Sequence, residues 1–204
     1  MQNKKTDFKD NPVVAALILF IIAVVVTAAL AGANELTKDI IIKQAKIDQD
    51  NARLEVFPTA ISFADISTDY LTSKSPKITS VFTALDKDSN VIGLIIISSA
   101  KGYSGDIAIM SGISLEKKVE GIKVLSDNET PGLGKKVAEP SFTGKFLNKT
   151  PGLLFSLKDA NGDVNKIDAI TGVTISSTAM VNALNLAIDF SSTVYKTLDL
   201  KGGK

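Results

Sequence analysis

The 204 residues carry 23 basic and 22 acidic side chains for a formal net charge of +1, and include no Cys, no His and no Trp. That inventory excludes a disulfide scaffold, a Cys-His or Ser-His-Asp nucleophile, an Fe–S cluster and an ordinary zinc site. Near-neutral charge and sparse aromatics give no surface suited to nucleic acid, so the reactive inventory is carboxylates and hydroxyls, with neither a nucleic-acid partner nor a metal site expected.

Pro12 to Ala33 contains no charged residue. At about 1.5 Å per residue, a helix of that length spans roughly 33 Å, enough for a hydrocarbon core of about 30 Å. The segment therefore predicts one transmembrane helix, in contact with membrane lipid, behind a tail of residues 1–11. A cleaved signal peptide is the competing reading, because Lys4, Lys5 and Lys9 precede the run and Ala29-Leu30-Ala31 resembles a cleavage site. The run is much longer than the roughly 7 to 15 residues of a signal h-region, which favours an uncleaved anchor. Lys38, Lys43 and Lys46 follow it as closely as the other lysines precede it, so charge bias does not orient the span.

Residues 34–75 read as a membrane-proximal helix and connector. Leu36, Ile40, Ile41, Ala45, Ile47 and Leu54 recur through the charged stretch Glu35 to Glu55, which predicts an amphipathic helix. Ser62 to Ser75 lacks a clear period and reads as a loop with a short element. Residues 76–204 form one soluble domain, long enough for its own core. In it, Ile78 to Leu85 and Val91 to Ser98 are β-branched runs separated by Asp86-Lys87-Asp88-Ser89-Asn90, a predicted hairpin. Further strands are expected at Asp106 to Ile113, Val119 to Leu125, Leu153 to Lys158 and Asn165 to Ile170, and a short helix at Phe142 to Leu147. Asp159-Ala160-Asn161-Gly162-Asp163 lacks the ligand spacing and terminal Glu of a calcium loop and reads as a hairpin turn. Met180, Val181, Leu184, Ala187 and Ile188 recur at helical spacing, predicting a final helix to about Leu198 that buries one side against the sheet. The fold class is α+β: an antiparallel or mixed sheet with packed helices, preceded by one transmembrane helix.

Three segments carry candidate chemistry. Asp168-Ala169-Ile170-Thr171-Gly172-Val173-Thr174 sets a glycine-loosened, hydroxyl-rich turn at the mouth of the final helix. Unpaired first-turn N–H groups and the positive end of the helix dipole both face an anion there, so the implied chemistry is phosphate-linked. An ordinary N-cap behind an ordinary turn is the plainer alternative. In Glu129-Thr130-Pro131-Gly132-Leu133-Gly134, Pro131 fixes one dihedral while Gly132 and Gly134 permit positive φ and remove side chains, so backbone amides can approach a flat ligand. A plain Pro-Gly turn is its alternative. A Walker loop is excluded, since Glu129 stands where Gly is required and Lys136 where Ser or Thr should hold magnesium. The third segment is the glycine-and-tyrosine turn Lys101-Gly102-Tyr103-Ser104-Gly105, which leads into a strand.

Together these segments resemble the FMN-binding domains of the Rnf and sodium-pumping NADH:quinone reductase complexes, over roughly Ser80 to Ser192. The seven-residue run is similar to their flavin-attachment motif of Asp, two variable positions, Ser or Thr, Gly, Ala and Thr, whose last Thr carries FMN through a phosphoester bond. The resemblance implies that Thr174 is the attachment residue, that Asp168, Thr171, Gly172 and Val173 complete the motif, and that Ser176 caps the helix or hydrogen-bonds the phosphate. It also implies that Glu129, Thr130, Gly132, Leu133 and Gly134 lie near the isoalloxazine ring. Tyr103 reads by default as packed against its own turn, with stacking near the ligand as the alternative. Val173 departs from the usual Ala, and Asp127 and Asn128 stand where a histidine often precedes the Glu-Thr-Pro-Gly run. The implied function is a membrane-anchored electron carrier with covalent FMN in an Rnf-type ion-translocating complex working from ferredoxin to NAD. Such a chain is an electron-transfer subunit rather than an independent enzyme, and its length fits the G subunit of Rnf better than its longer quinone-reductase relative. The implied partners are the other Rnf membrane subunits and a flavin transferase for maturation, with the FMN domain on the extracytoplasmic side. A flavin-free extracytoplasmic binding or assembly module and a stand-alone extracytoplasmic flavin-linked reductase are the alternatives at this point.

Overall fold

The computed structural model describes residues 12–71, 77–158 and 161–202, and the chain divides into two units, Met1–Gln49 and Asp50–Lys204. Helix α1 covers Pro12–Val56. Pro12 opens it, where a missing N–H costs nothing, and Pro58 follows its end because the residue before a proline is pushed out of the α region. Nothing between them stops a helix, so the expected membrane-proximal helix is the continuation of α1. In the first unit Pro12–Gly32 is long and apolar enough to cross a membrane, with a mean hydropathy of 3.2. Its large side chains, among them Leu17, Phe20 and Val25, are exposed as lipid contact requires.

The second unit is built on a five-stranded antiparallel sheet in the order β1-β2-β3-β4-β5, with β1 at Ser62–Asp65, β2 at Ile78–Leu85, β3 at Val91–Lys101, β4 at Asp106–Ser114 and β5 at Val119–Ser126. β1 and a one-turn helix α2 (Ser67–Tyr70) occupy much of the stretch expected as a loop. β3 reads as an unbroken apolar run because both its faces are covered. Leu94 and Ile96 point to one core and Ile95 to the other. The first core is closed by α4 (Thr174–Gly202), whose Met180, Leu184, Ala187 and Ile188 pack with Ile107 and Ile109 of β4. Two buried hydrogen bonds fix its seating: Ser98 Oγ donates to Ala183 O at 2.8 Å and the Tyr195 hydroxyl donates to Ile113 O at 2.7 Å.

The opposite face is covered by Ala52 and Val56 at the end of α1 and by Phe57 and Ala60 beyond it. Gly112 and Gly121 are register partners on β4 and β5. A Cβ on Gly112 would lie 2.3 Å from Val56 O, and one on Gly121 would lie 2.6 Å from Val56 Cα, so this glycine pair admits the end of α1 to the sheet.

Between β5 and α4 the chain forms a 3₁₀ turn at Gly134–Ala138, α3 at Pro140–Thr143, a second 3₁₀ turn at Gly144–Phe146, β6 at Phe155–Leu157 and β7 at Asn165–Ile167. The expected helix at Phe142 to Leu147 is thus shorter and split, with Phe146 edge-to-face against Phe142 and tilted against Phe155. β6 and β7 pair in parallel, which corrects the expected hairpin; part of that turn, residues 159–160, lies outside the described residues. Asn165 decides the direction. Its amide bonds the backbone of Thr150 and Leu153, ahead of β6, so β7 begins beside the entrance of β6 rather than its exit.

Candidate functional site

α4 begins at Thr174, and Val173 before it has no side-chain oxygen with which to cap the first-turn N–H groups. The ordinary N-cap reading therefore fails at the position where it would apply. The chain enters α4 through a tight turn in which Val173 N–H donates to Ile170 O at 2.9 Å and Gly172 sits at φ 76°. A positive φ at the third position is what a type II turn demands, hence the glycine. The Glu-Thr-Pro-Gly loop repeats the device: Leu133 N–H donates to Thr130 O at 3.2 Å, with Pro131 second and Gly132 third at φ 75°. The two turns meet, since a Cβ on Gly172 would lie 4.0 Å from Leu133 Cδ1.

Where they meet is a cavity of about 510 Å³, lined by Tyr103, Glu129, Thr130, Leu133, Gly134 and the consecutive residues Gly172, Val173, Thr174, Ile175 and Ser176. Three segments far apart in sequence thus share one wall. Thr174 is exposed, whereas Ser176 is only 2 % exposed and its hydroxyl donates to Glu129 Oε2 at 2.7 Å. Ser177 is fully buried, its Oγ accepting from Ile170 N–H at 3.2 Å. Thr174 is the accessible hydroxyl of the three. Val173, the departure from Ala, is 4 % exposed and belongs to the core beneath α4, which absorbs its extra methyl groups.

Glu129 is buried and organises the cavity. Its Oε1 accepts from Tyr103 N–H at 2.8 Å and Ser104 N–H at 3.2 Å. A Cβ on Gly102 would lie 2.4 Å from Oε1, and one on Gly134 would lie 2.6 Å from Oε2. Gly134 is therefore bare to admit this carboxylate, and it also lines the cavity. Asp127, in the place of the absent histidine, accepts from Glu129 N–H at 3.1 Å and pairs with Lys135 at 3.6 Å, bracing the loop.

Three expected site residues do not line the cavity: Asp168, Thr171 and Gly132. Asp168 is exposed and paired with Lys158, whose hydrogen bond holds its carboxyl below the usual carboxylate range, with Lys145 and Lys149 adding to the effect. Of the two remaining lining residues, Tyr103 is weighed in the sequence reading and Ile175 escapes it. Tyr103, expected to pack against its own turn, is 71 % exposed at the cavity, and Ile175 is 54 % exposed. Ile175 leaves a signal in the sequence, since helical spacing puts it on the polar face of α4 with Asn182, Asp189 and Thr193, where no core explains it.

Residues 102–189 match the FMN-binding domain family, and residues 13–56 match the RnfG N-terminal region. The chain is 32% identical over 174 residues to the G subunit of the ion-translocating oxidoreductase complex of Methanosarcina acetivorans, covering 83% of this chain and 90% of that one. The chain belongs to the family of G subunits of these complexes. It is also 31% identical over 194 residues to the G subunit of the Na(+)-translocating ferredoxin:NAD(+) oxidoreductase complex of Acetobacterium woodii, covering 89% of this chain and 90% of that one. The crystal structure of Shewanella oneidensis NqrC aligns over 67% of this chain and 78% of that chain with a TM-score of 0.48 and 17% identity. The cavity fits the FMN of an FMN-binding domain. Its 510 Å³ lies within the range of ligand pockets, a hydroxyl and uncapped N–H groups suit a phosphate, and Tyr103, Leu133 and Ile175 offer apolar surface to a flat ring.

Proposed function

We propose that this chain is a membrane-anchored flavoprotein electron carrier, the G subunit of an Rnf-type ion-translocating ferredoxin:NAD oxidoreductase, with FMN esterified through its phosphate to Thr174. The observation that carries the reading is the convergence of the three motif segments on one cavity at the start of α4, where Thr174 is open and the rival Ser176 is buried and engaged. When bound, FMN supplies the redox chemistry that a chain without Cys or His cannot. The residues present bind and orient it. Thr174 Oγ1 would hold FMN through its phosphate, the N–H groups of the first turn would offer donors to that phosphate, and Asp168 to Val173 would present the hydroxyl to the flavin transferase. Covalent linkage makes retention independent of affinity on a face where a dissociated flavin would be lost.

In this reading residues 1–11 lie in the cytoplasm, 12–33 cross the membrane once, and the FMN domain works on the extracytoplasmic side against the other Rnf membrane subunits. Co-expression with a flavin transferase should give flavin fluorescence that survives denaturing electrophoresis. Thr174→Ala should abolish it while Ser176→Ala retains it. Fluorescence persisting in Thr174→Ala would overturn the assignment.

A further inference from the structure

We infer that Glu129 is the positioning residue of the flavin cavity and that its buried charge holds the flavin's reduction potential down. This rests on the functional reading above and deepens it. The carboxylate is 3 % exposed and ties together two parts of the cavity wall: the Tyr103-Ser104 backbone through Oε1, and the first turn of α4 through Ser176 and Oε2. All three neighbours donate, the partner set of an ionised carboxylate, which accepts and never donates. The two glycines that would collide with its oxygens, Gly102 and Gly134, show that the backbone on both sides is shaped around this group.

Two consequences follow from one side chain. Pinning the Tyr103 turn sets where the exposed tyrosine ring stands relative to Thr174, and so sets one wall for the isoalloxazine. The negative charge is also fixed in a wall of low dielectric, where Coulomb interactions are stronger than in water. In a potentiometric titration the flavin gains electrons from the reductant, dithionite, and negative charge not matched by proton uptake from water builds on the ring. A carboxylate held beside the ring opposes that gain and makes the potential more negative. No other carboxylate lines the cavity among the described residues.

Charge and clamp can be separated. Glu129→Gln keeps an acceptor oxygen for the Tyr103 and Ser104 amides and offers its own N–H to Ser176, so it removes the charge while retaining the ties. Glu129→Ala removes both. Full-length chains co-expressed with flavin transferase in detergent should first show flavin on Thr174 by peptide mass. In the flavinylated fraction, Glu129→Gln should shift the midpoint potential to a more positive value, with visible circular dichroism of the flavin close to wild type. Glu129→Ala should lose that dichroism as the ring ceases to be held. A merely structural Glu129 would leave the Gln potential in place, and that result overturns the inference while leaving the functional reading intact. A wild-type chain without flavin on Thr174 would overturn both.

Discussion

Gly132 and Gly134 stand two residues apart in the same loop and should respond differently to an added methyl group. A Cβ on Gly132 meets nothing within 4 Å, so Gly132→Ala is charged only for holding an L-residue at φ 75°, about 1–2 kcal/mol. A Cβ on Gly134 would lie 2.6 Å from Glu129 Oε2 and 2.8 Å from Glu129 Cβ. The carboxylate must move, breaking its bond to Ser176, and the loop must shift. Overpacking and a lost charge-assisted hydrogen bond together put Gly134→Ala at about 2–5 kcal/mol. Urea unfolding of the full chain in detergent, followed by far-UV circular dichroism, measures both. Combined with Glu129→Ala, the Gly134 variant should be non-additive by about 1 kcal/mol or more, because the oxygen it strikes has gone, while the Gly132 variant should add. Additivity of Gly134→Ala with Glu129→Ala would refute the account of this glycine.

Phe146 is 1 % exposed, with ring centroids 5.4 Å from Phe142 and 5.3 Å from Phe155, so Phe146→Ala should cost about 3–5 kcal/mol by thermal unfolding; a loss under about 1 kcal/mol would contradict the packing. Burial pushes the Tyr195 hydroxyl well above its ordinary value, so its contribution is fully present below about pH 10 and is lost as pH rises beyond that. Tyr195→Phe should therefore cost about 1 kcal/mol at pH 7 and flatten the alkaline limb of a stability-versus-pH curve, and an unchanged limb would contradict the assignment. The membrane reading predicts that the chain resists salt and alkaline extraction, since a spanning helix is not held by screened charges. An impermeant thiol reagent should label Lys87→Cys, an exposed site in the β2–β3 turn, in intact cells and spare Gln2→Cys; the opposite pattern would invert the topology.

Where one local rule governs a segment, the sequence is a good guide. β2 and β3 need only two β-branched apolar runs and a turn between them, and the entry to α4 needs only a glycine where φ must be positive. The β6–β7 pair reads wrongly as a hairpin because its direction is set by Asn165 reaching Thr150 and Leu153, a contact no turn composition encodes. Phe142 to Leu147 looks like one helix because its apolar spacing is helical, yet the chain forms short turns in which Phe146 packs edge-to-face on Phe142 and tilted on Phe155. Most of the motif residues line one cavity with Thr174, while Asp168, Thr171 and Gly132 do not, and the division of labour among them is not legible in the sequence. Glu129 and Gly134 read only as cavity neighbours, and nothing in the sequence says that the glycine makes room for the glutamate or that the glutamate ties Tyr103 to α4.

Site-resolved mass spectrometry of the chain matured with flavin transferase tests the central claim most directly. The tryptic peptide from Ile167 to Lys196 contains Thr174, Ser176 and Ser177 together, and fragmentation separates them. The account predicts one FMN, added with loss of one water, on Thr174 and none on the buried serines. An unmodified peptide, or FMN on Ser176 or Ser177, would contradict it.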